Sequence, residues 1–241
     1  VNPQSLKKEN FVDGGTATGE MLDFLAECLR YGISICVAGA TSSGKTTLAG
    51  WLLTTIPDGK RIFTIENGRR ELALVREKDG KVTNSVIHTL TRYSENEKQN
   101  IDQDMLLDMA LRFNPEIICV GEMRSSEAYT AQESARTGHT VLTTIHSNSC
   151  ESTYSRMRTL CKRKYDMDDE VLMDLVTEAF PIVVFTKQLE NRKRKLMEIM
   201  ECEITADGKR KFNPLYRYEI TENRMEGDRF IINGTHKKVC G

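Results

Sequence analysis

The chain has 241 residues, of which 39% are hydrophobic and 29% charged, with a formal net charge of −1. That composition excludes a disordered or fibrous chain, and the near-zero balance removes the overall basic field on which binding to nucleic acid or acidic lipid would rest. No run of about 18 apolar residues occurs, so no membrane-spanning helix is expected.

Residues 1–16 are polar, with Pro3 and the pair Gly14-Gly15, and read as a linker. Because the chain opens on Val1, it is expected to be a piece of a longer protein. Thr18 is a candidate helix cap with Glu20 in the first turn, and Leu22, Leu25 and Leu29 repeat with helical spacing. Gly32 ends that helix. Ile33 to Ala38 is short, apolar and rich in β-branched residues, the pattern of a buried parallel strand. It runs into Gly39-Ala40-Thr41-Ser42-Ser43-Gly44-Lys45-Thr46, which fits G-x-x-x-x-G-K-[ST], and Thr47 then opens a helical segment. Strand, loop and helix is the context that this phosphate-binding motif requires. The two glycines let successive N–H groups converge on one anion. The helix adds its positive end. Lys45 is placed to reach the β- and γ-phosphates, and Thr46 to hold Mg²⁺. The set Gly39 to Thr47 is therefore the candidate nucleotide site, with ATP and Mg²⁺ as its cofactors.

A turn at Pro57-Asp58-Gly59 precedes a second buried strand, Arg61 to Ile65, which ends on Glu66-Asn67. Val86 to Leu90 reads as an edge strand, and residues 93–100 as a charged loop. Ile101, Met105, Met109 and Arg112 share one helical face, with Leu106 and Ala110 beside it, stopped by Asn114-Pro115. Ile117 to Val120 is a third buried strand followed by Gly121-Glu122; Ser125 and Ser126 can cap the next helix; Thr140 to Ile145 is a fourth strand ending on His146. Such alternation predicts a parallel sheet covered by helices on both faces. Beyond residue 160 comes a helix with an apolar stripe from Val171 to Phe180, and then strand-like runs with a hairpin signal at Asp207-Gly208. They suggest a small antiparallel subdomain. The expected division is a linker at 1–16, an ATPase core at 17–160 and a helical and β-hairpin subdomain at 161–241.

Turnover of a bound triphosphate needs carboxylates at the ends of neighbouring strands. Glu122 can hold Mg²⁺ through water or orient the attacking water, and Glu66 can act as general base. A single acid at a strand end is as often a solvated loop charge. Two of them, on strands expected to flank the phosphate-loop strand, favour a catalytic pair. His139 and His146 frame the fourth strand at a spacing poor for zinc. Each is either structural or a sensor of the terminal phosphate. The seven cysteines, odd in number and without a C-x-x-C pair, read as small hydrophobes in a reducing, cytoplasmic setting.

Taken together, Gly121-Glu122-Met123-Arg124, Thr137-Gly138-His139 and Leu142 to Ser149 (LTTIHSNS) resemble the type II/type IV secretion ATPase superfamily, and most of all its CpaF-type branch, which serves Flp/tad pilus assembly. The resemblance runs from about Pro3 to Tyr218. It implies a RecA-like P-loop fold and assigns Glu66 as the catalytic glutamate, Glu122 as the Walker B acid, and His139 and His146 as the histidine box. Arg92 and Arg124 fall where relatives carry arginines near the active site. The resemblance also implies a homo-hexameric ring at the cytoplasmic face of the inner membrane, working with pilus or secretion platform proteins, and a further N-terminal domain that is absent here. Asn67 departs from the aspartate usual in relatives, and Arg69-Arg70 lengthens that loop. Two other readings compete: a nucleic-acid translocase, supported only by the basic run Arg192 to Lys195, and a nucleotide-bound scaffold without turnover. The run is expected to be a solvated loop, so no specific nucleic acid is expected as partner. No Asn-Lys-x-Asp segment for reading guanine is present.

Overall fold

The computed structural model describes residues 2–240, the side chain of Glu97 excepted. After a short helix α1 (Lys8–Asp13), α2 (Gly19–Arg30) begins as expected, the Thr18 hydroxyl accepting the Met21 N–H at 3.3 Å. It buries Met21, Leu22, Leu25, Ala26, Cys28 and Leu29 along one stripe. β1 (Ile35–Gly39) then leads through the glycine loop into α3 (Lys45–Thr54). β2 (Arg61–Glu66), a minor hairpin of β3 (Glu77–Lys78) and β4 (Lys81–Val82), β5 (Ser85–Leu90), α4 (Gln103–Ala110), β6 (Ile117–Met123), α5 (Glu127–Arg136) and β7 (Thr140–Ile145) follow. The remainder is α6 (Cys150–Cys161), α7 (Asp169–Ala179), β8 (Ile182–Gln188), β9 (Arg194–Ile204), β10 (Arg210–Glu226) and β11 (Arg229–Lys238).

Nine strands form one sheet in the order β11-β10-β9-β8-β1-β7-β6-β2-β5. From β8 to β5 every pairing is parallel, and from β8 to β11 every pairing is antiparallel. All five residues of β1 are buried, as a strand covered on both faces requires. Its side chains alternate between two cores. Ile35 and Val37 join α2 and α3 on one face; Cys36 and Ala38 face α4 to α7 on the other.

Two departures from the sequence reading matter for the site. The strands ending in Glu66 and Glu122 do not flank β1, whose neighbours are β7 and β8. β6 lies beyond β7, and β2 beyond β6, because crossovers set strand order and local sequence carries no record of it. The antiparallel strands, expected to form a small sheet of their own, extend the main sheet through β8, whose Ile182 registers with Ile35. Residues before α2 are stitched to β9 as well: the Leu196 N–H donates to the Thr16 carbonyl at 2.8 Å, and Lys195 Nζ donates to the Gly15 carbonyl.

On α4 it is the stripe beside the expected face that packs inward. Leu106, Leu107 and Ala110 are buried, whereas Ile101, Met105 and Met109 face outward. Ser126 makes no side-chain cap of α5; the buried Glu127 carboxylate instead secures the turn before the helix, accepting the Arg124 and Ser125 N–H groups.

Candidate functional site

At the C-terminal end of β1 the backbone turns through Gly39 at φ +153°, Ser42 at φ +63° and Gly44 at φ +101°. A side chain at Gly39 would meet the Thr186 carbonyl, so glycine is required by close approach as well as by conformation. The turn leaves Ala40, Thr41, Ser42 and Thr46 exposed and buries Ser43 and Lys45. α3 starts at Lys45, so its first N–H groups and positive end face the loop. Lys45 Nζ donates to the Gly39 and Ala40 carbonyls, each at 2.9 Å. Burial lowers its pKa; Glu122 pulls it up and Arg124 pushes it down, so all three charges share one field.

Glu66, 4% exposed at the end of β2, is clamped. Its Oε2 accepts the Glu71 and Leu72 N–H groups at 2.5 and 2.9 Å. Burial acts to raise its pKa, but the His88 ring and those two backbone donors outweigh it, so the carboxyl is held below its ordinary value. The 67–72 loop thus folds back over its own glutamate. Asn67, at the expected aspartate position, accepts from the Thr91 hydroxyl at 2.7 Å rather than turning towards the loop of β1.

Glu122 sits near the end of β6 between two partners. Arg124 Nη2 is 2.5 Å from its Oε2, and His146 Nε2 is 2.7 Å from its Oε1. The histidine contact is close but not aligned as a hydrogen bond, so Oε1 is buried without a donor. Thr46, Glu66 and Glu122 nevertheless line one cleft of about 110 Å³, together with Arg69 and Arg124. A larger cavity of about 430 Å³ adjoins the other side of the loop, walled by Asn10, Phe11, Lys45, Thr186, Arg194 and Leu196. A third, of about 510 Å³, lies between Ala40, Thr41, His146 and Arg156.

Not every candidate joins this cluster. His139 begins β7 at the opposite end of the sheet, with Nδ1 2.8 Å from the Pro115 carbonyl. The strand between it and His146, about 20 Å long at 3.3 Å per residue, keeps it from any phosphate at the loop. That placement favours, for His139, the structural one of the two expected roles. Arg92 lies past the end of β5, with its backbone bridged to Ile101 and its side chain exposed. Among the described residues its side chain forms no ion pair.

The sequence reading missed Thr186, Arg194 and His88. Thr186 Oγ1 shares a 3.0 Å hydrogen bond with Ser43 Oγ and lies 3.2 Å from the Ala38 carbonyl it donates to. Arg194 Nε donates to the Ser42 carbonyl at 2.8 Å. The basic run was visible, but pairing of β8 with β1, which turns it toward the loop, was not. Rather than one solvated stretch, the run is divided: Arg192 and Lys193 are exposed, Arg194 braces the loop, and Lys195 is buried beneath the Tyr218 ring.

No group of three or more His, Cys, Asp or Glu side chains that could hold a metal alone occurs among the described residues. Mg²⁺ does not need one, since it keeps waters and takes oxygen from substrate phosphates. The exposed Thr46 hydroxyl and the donor-free Glu122 Oε1 are hard oxygen ligands of the type it takes.

A mostly parallel α/β sheet with a P-loop at the C-terminal end of β1 and acids at the ends of β2 and β6 defines a RecA-like P-loop protein. The chain belongs to the family described as Type II/IV secretion system protein, whose model matches residues 1–231. It is 35% identical over 147 residues to an uncharacterised protein, MJ0900, of Methanocaldococcus jannaschii, covering 61% of this chain and 25% of that protein. It is 27% identical over 199 residues to VirB11 of Agrobacterium tumefaciens, covering 80% of this chain and 54% of that one. Among solved structures, the VirB11 ATPase from the Brucella suis type IV secretion system in complex with sulphate superimposes with a TM-score of 0.64 at 26% identity, covering 80% of this chain and 54% of that one. The chain therefore spans from a quarter to about half of the proteins it matches.

Proposed function

We propose that the protein hydrolyses ATP with Mg²⁺ and couples turnover to domain motion in the hexameric ring of a secretion or pilus-assembly motor at the cytoplasmic face of a membrane. Membrane platform proteins would be its partners, and the CpaF type of pilus-assembly ATPase is the finer assignment. The observation that carries the reading is that Thr46, Glu66 and Glu122 line one cleft beside the loop holding Lys45. Family membership and the likeness to the VirB11 ATPase support it.

In this reading the phosphates lie against the loop N–H groups and the start of α3. Lys45 exchanges its two carbonyl partners for phosphate oxygens. Thr46 and Glu122 would hold Mg²⁺, which neutralises charge on the phosphates when bound. Glu66 takes the proton of the attacking water. His146 and Arg124 hold Glu122 and lie where a terminal phosphate would alter their contacts. The cavity of about 430 Å³ is of a size to take the nucleoside. Lys195 is buried and the exposed Arg194 is engaged with the Ser42 carbonyl, which weakens the support for a nucleic-acid track.

Phosphate release with ATP and Mg²⁺, measured for the protein and for Glu66→Gln, tests the reading. Nucleotide binding should persist in the variant while turnover falls by about 10²-fold or more. Undiminished turnover would refute the assignment of the base.

A further inference from the structure

Beside Glu66 lies a half-buried group that this chemistry does not yet use. His88, on β5, is the register partner of Thr64 on β2, and its side chain is 12% exposed. Thr64 and Glu66, two residues apart on one strand, project from the same face. Thr64 is fully buried. His88 Nδ1 lies 2.9 Å from Thr64 Oγ1, which lies 3.5 Å from Glu66 Oε1. The direct distance from Nδ1 to Oε1 is 3.8 Å, beyond a hydrogen bond.

The direction of this chain follows from the far side of the ring. His88 Nε2 is buried and, among the described residues, has no hydrogen-bond partner. A proton there would be a buried donor without an acceptor, which is costlier than an unfilled lone pair. The hydrogen of the ring is therefore placed on Nδ1, which donates to Thr64 Oγ1 and leaves the threonine hydroxyl free to donate to Glu66 Oε1. A carboxylate offers about four acceptor sites. Oε2 fills two with the Glu71 and Leu72 N–H groups, and Oε1 fills one with Thr64. One lone pair of Oε1 remains.

We propose that His88, acting through the Thr64 hydroxyl, is a positioning residue that fixes the Glu66 carboxylate with a single Oε1 lone pair left for the attacking water. The proposal rests on Glu66 being the general base. The neighbouring charges do not substitute for His88: Arg69 pairs with Glu71, and Arg76 turns away to Asp58 and the last carbonyls of α3. Cys119, on the β6 side of Glu66, is a buried thiol with its pKa raised, and so is neutral.

The test is steady-state phosphate release by the protein with ATP and Mg²⁺ for His88→Ala, His88→Asn, Thr64→Val, the His88→Ala/Thr64→Val pair, and Glu66→Gln. His88→Ala and the near-isosteric Thr64→Val should each lower kcat by about tenfold or more while KM stays within about twofold, since positioning is lost and ground-state binding is not. The pair should be no slower than the slower single variant, because both break one chain. His88→Asn, whose amide can donate from the Nδ1 position, should recover most of the lost rate. Wild-type kcat in His88→Ala, multiplying losses in the pair, or His88→Asn as slow as His88→Ala would each overturn the proposal. The Glu66→Gln arm separates the two readings. If it keeps turnover, the base assignment falls and takes His88 with it; if it loses turnover while His88→Ala keeps it, only the role of His88 falls.

Discussion

Replacing Gly39 with alanine would put a methyl group 2.3 Å from the Thr186 carbonyl oxygen, 2.5 Å from Ser43 Oγ and 2.8 Å from Thr186 Oγ1. The nearest of these atoms is backbone, and Thr186 is the register partner of Gly39, so that contact can be relieved only by prising β8 from β1. Three costs follow. Holding a side chain at φ +153° costs roughly 1–3 kcal/mol. Overpacking of a tight contact costs about 1–3 kcal/mol. Separating the buried Ser43–Thr186 hydroxyl pair costs about 1 kcal/mol. A loss of about 3 kcal/mol or more is expected, a large share of the ~5–15 kcal/mol that holds a domain together. Gly59→Ala is the matched control. A Cβ there meets nothing within 4 Å and the backbone is ordinary, so its stability should change by less than about 1 kcal/mol, upward if at all. The assay is urea unfolding followed by fluorescence of Trp51, the single tryptophan, which lies on α3 with its ring centroid 5.5 Å from that of Phe11. Equal midpoints for Gly39→Ala and wild type would show that the β1–β8 junction is not the tight contact described.

Lys45→Ala should reduce binding of a fluorescent ATP analogue by about 100-fold or more, the loss of roughly 3 kcal/mol of charged contact to phosphate, and titration calorimetry would measure it. Arg194→Ala should weaken nucleotide binding by about tenfold, because the Ser42 carbonyl loses its donor and the loop its brace; unchanged affinity would make the contact incidental. The Glu66 carboxyl has its pKa lowered below 4.5 in the folded protein, so the stability it contributes is present above pH 4.5 and is lost as pH falls through the folded value. Urea midpoints for wild type should accordingly fall more between pH 5 and pH 3 than those of Glu66→Gln, as judged by the same tryptophan signal. Removing Mg²⁺ with a chelator should abolish phosphate release and restore it on addition of excess Mg²⁺.

What the sequence made legible were features whose causes are local. β1, the glycine loop and α3 are written in adjacent residues, and so are the Thr18 cap and the turn after β9. Features that depend on residues far apart in the chain were not. β8 belongs beside β1 because Ile182 pairs with Ile35, and nothing near either residue records the other. From that pairing come Thr186 and Arg194 as loop contacts. The choice between the two roles of His139 was hidden for a related reason: two histidines bracketing a strand look equivalent in sequence, yet a strand carries its two ends to opposite sides of the sheet. The sequence left the inner face of α4 undecided because two apolar stripes overlap on one short helix, and burial chose the leucines over the methionines.

The geometry also orders the events of binding. Each reactive group already has a partner in the free protein. Lys45 is satisfied by two neutral carbonyls, Glu122 by an arginine, and Glu66 by backbone amides and the Thr64 hydroxyl. Carbonyl partners are given up most readily, since a phosphate oxygen returns a charge-assisted bond for a neutral one. The Glu122–Arg124 pair is partly exposed and screened, so it opens next at modest cost. Glu66 is buried, and its two N–H donors belong to the backbone of its own loop, so it has no reason to move. In the proposed reading the phosphates come to Glu66, brought there by the rearrangement of Lys45 and of the Glu122 cluster around a fixed carboxylate.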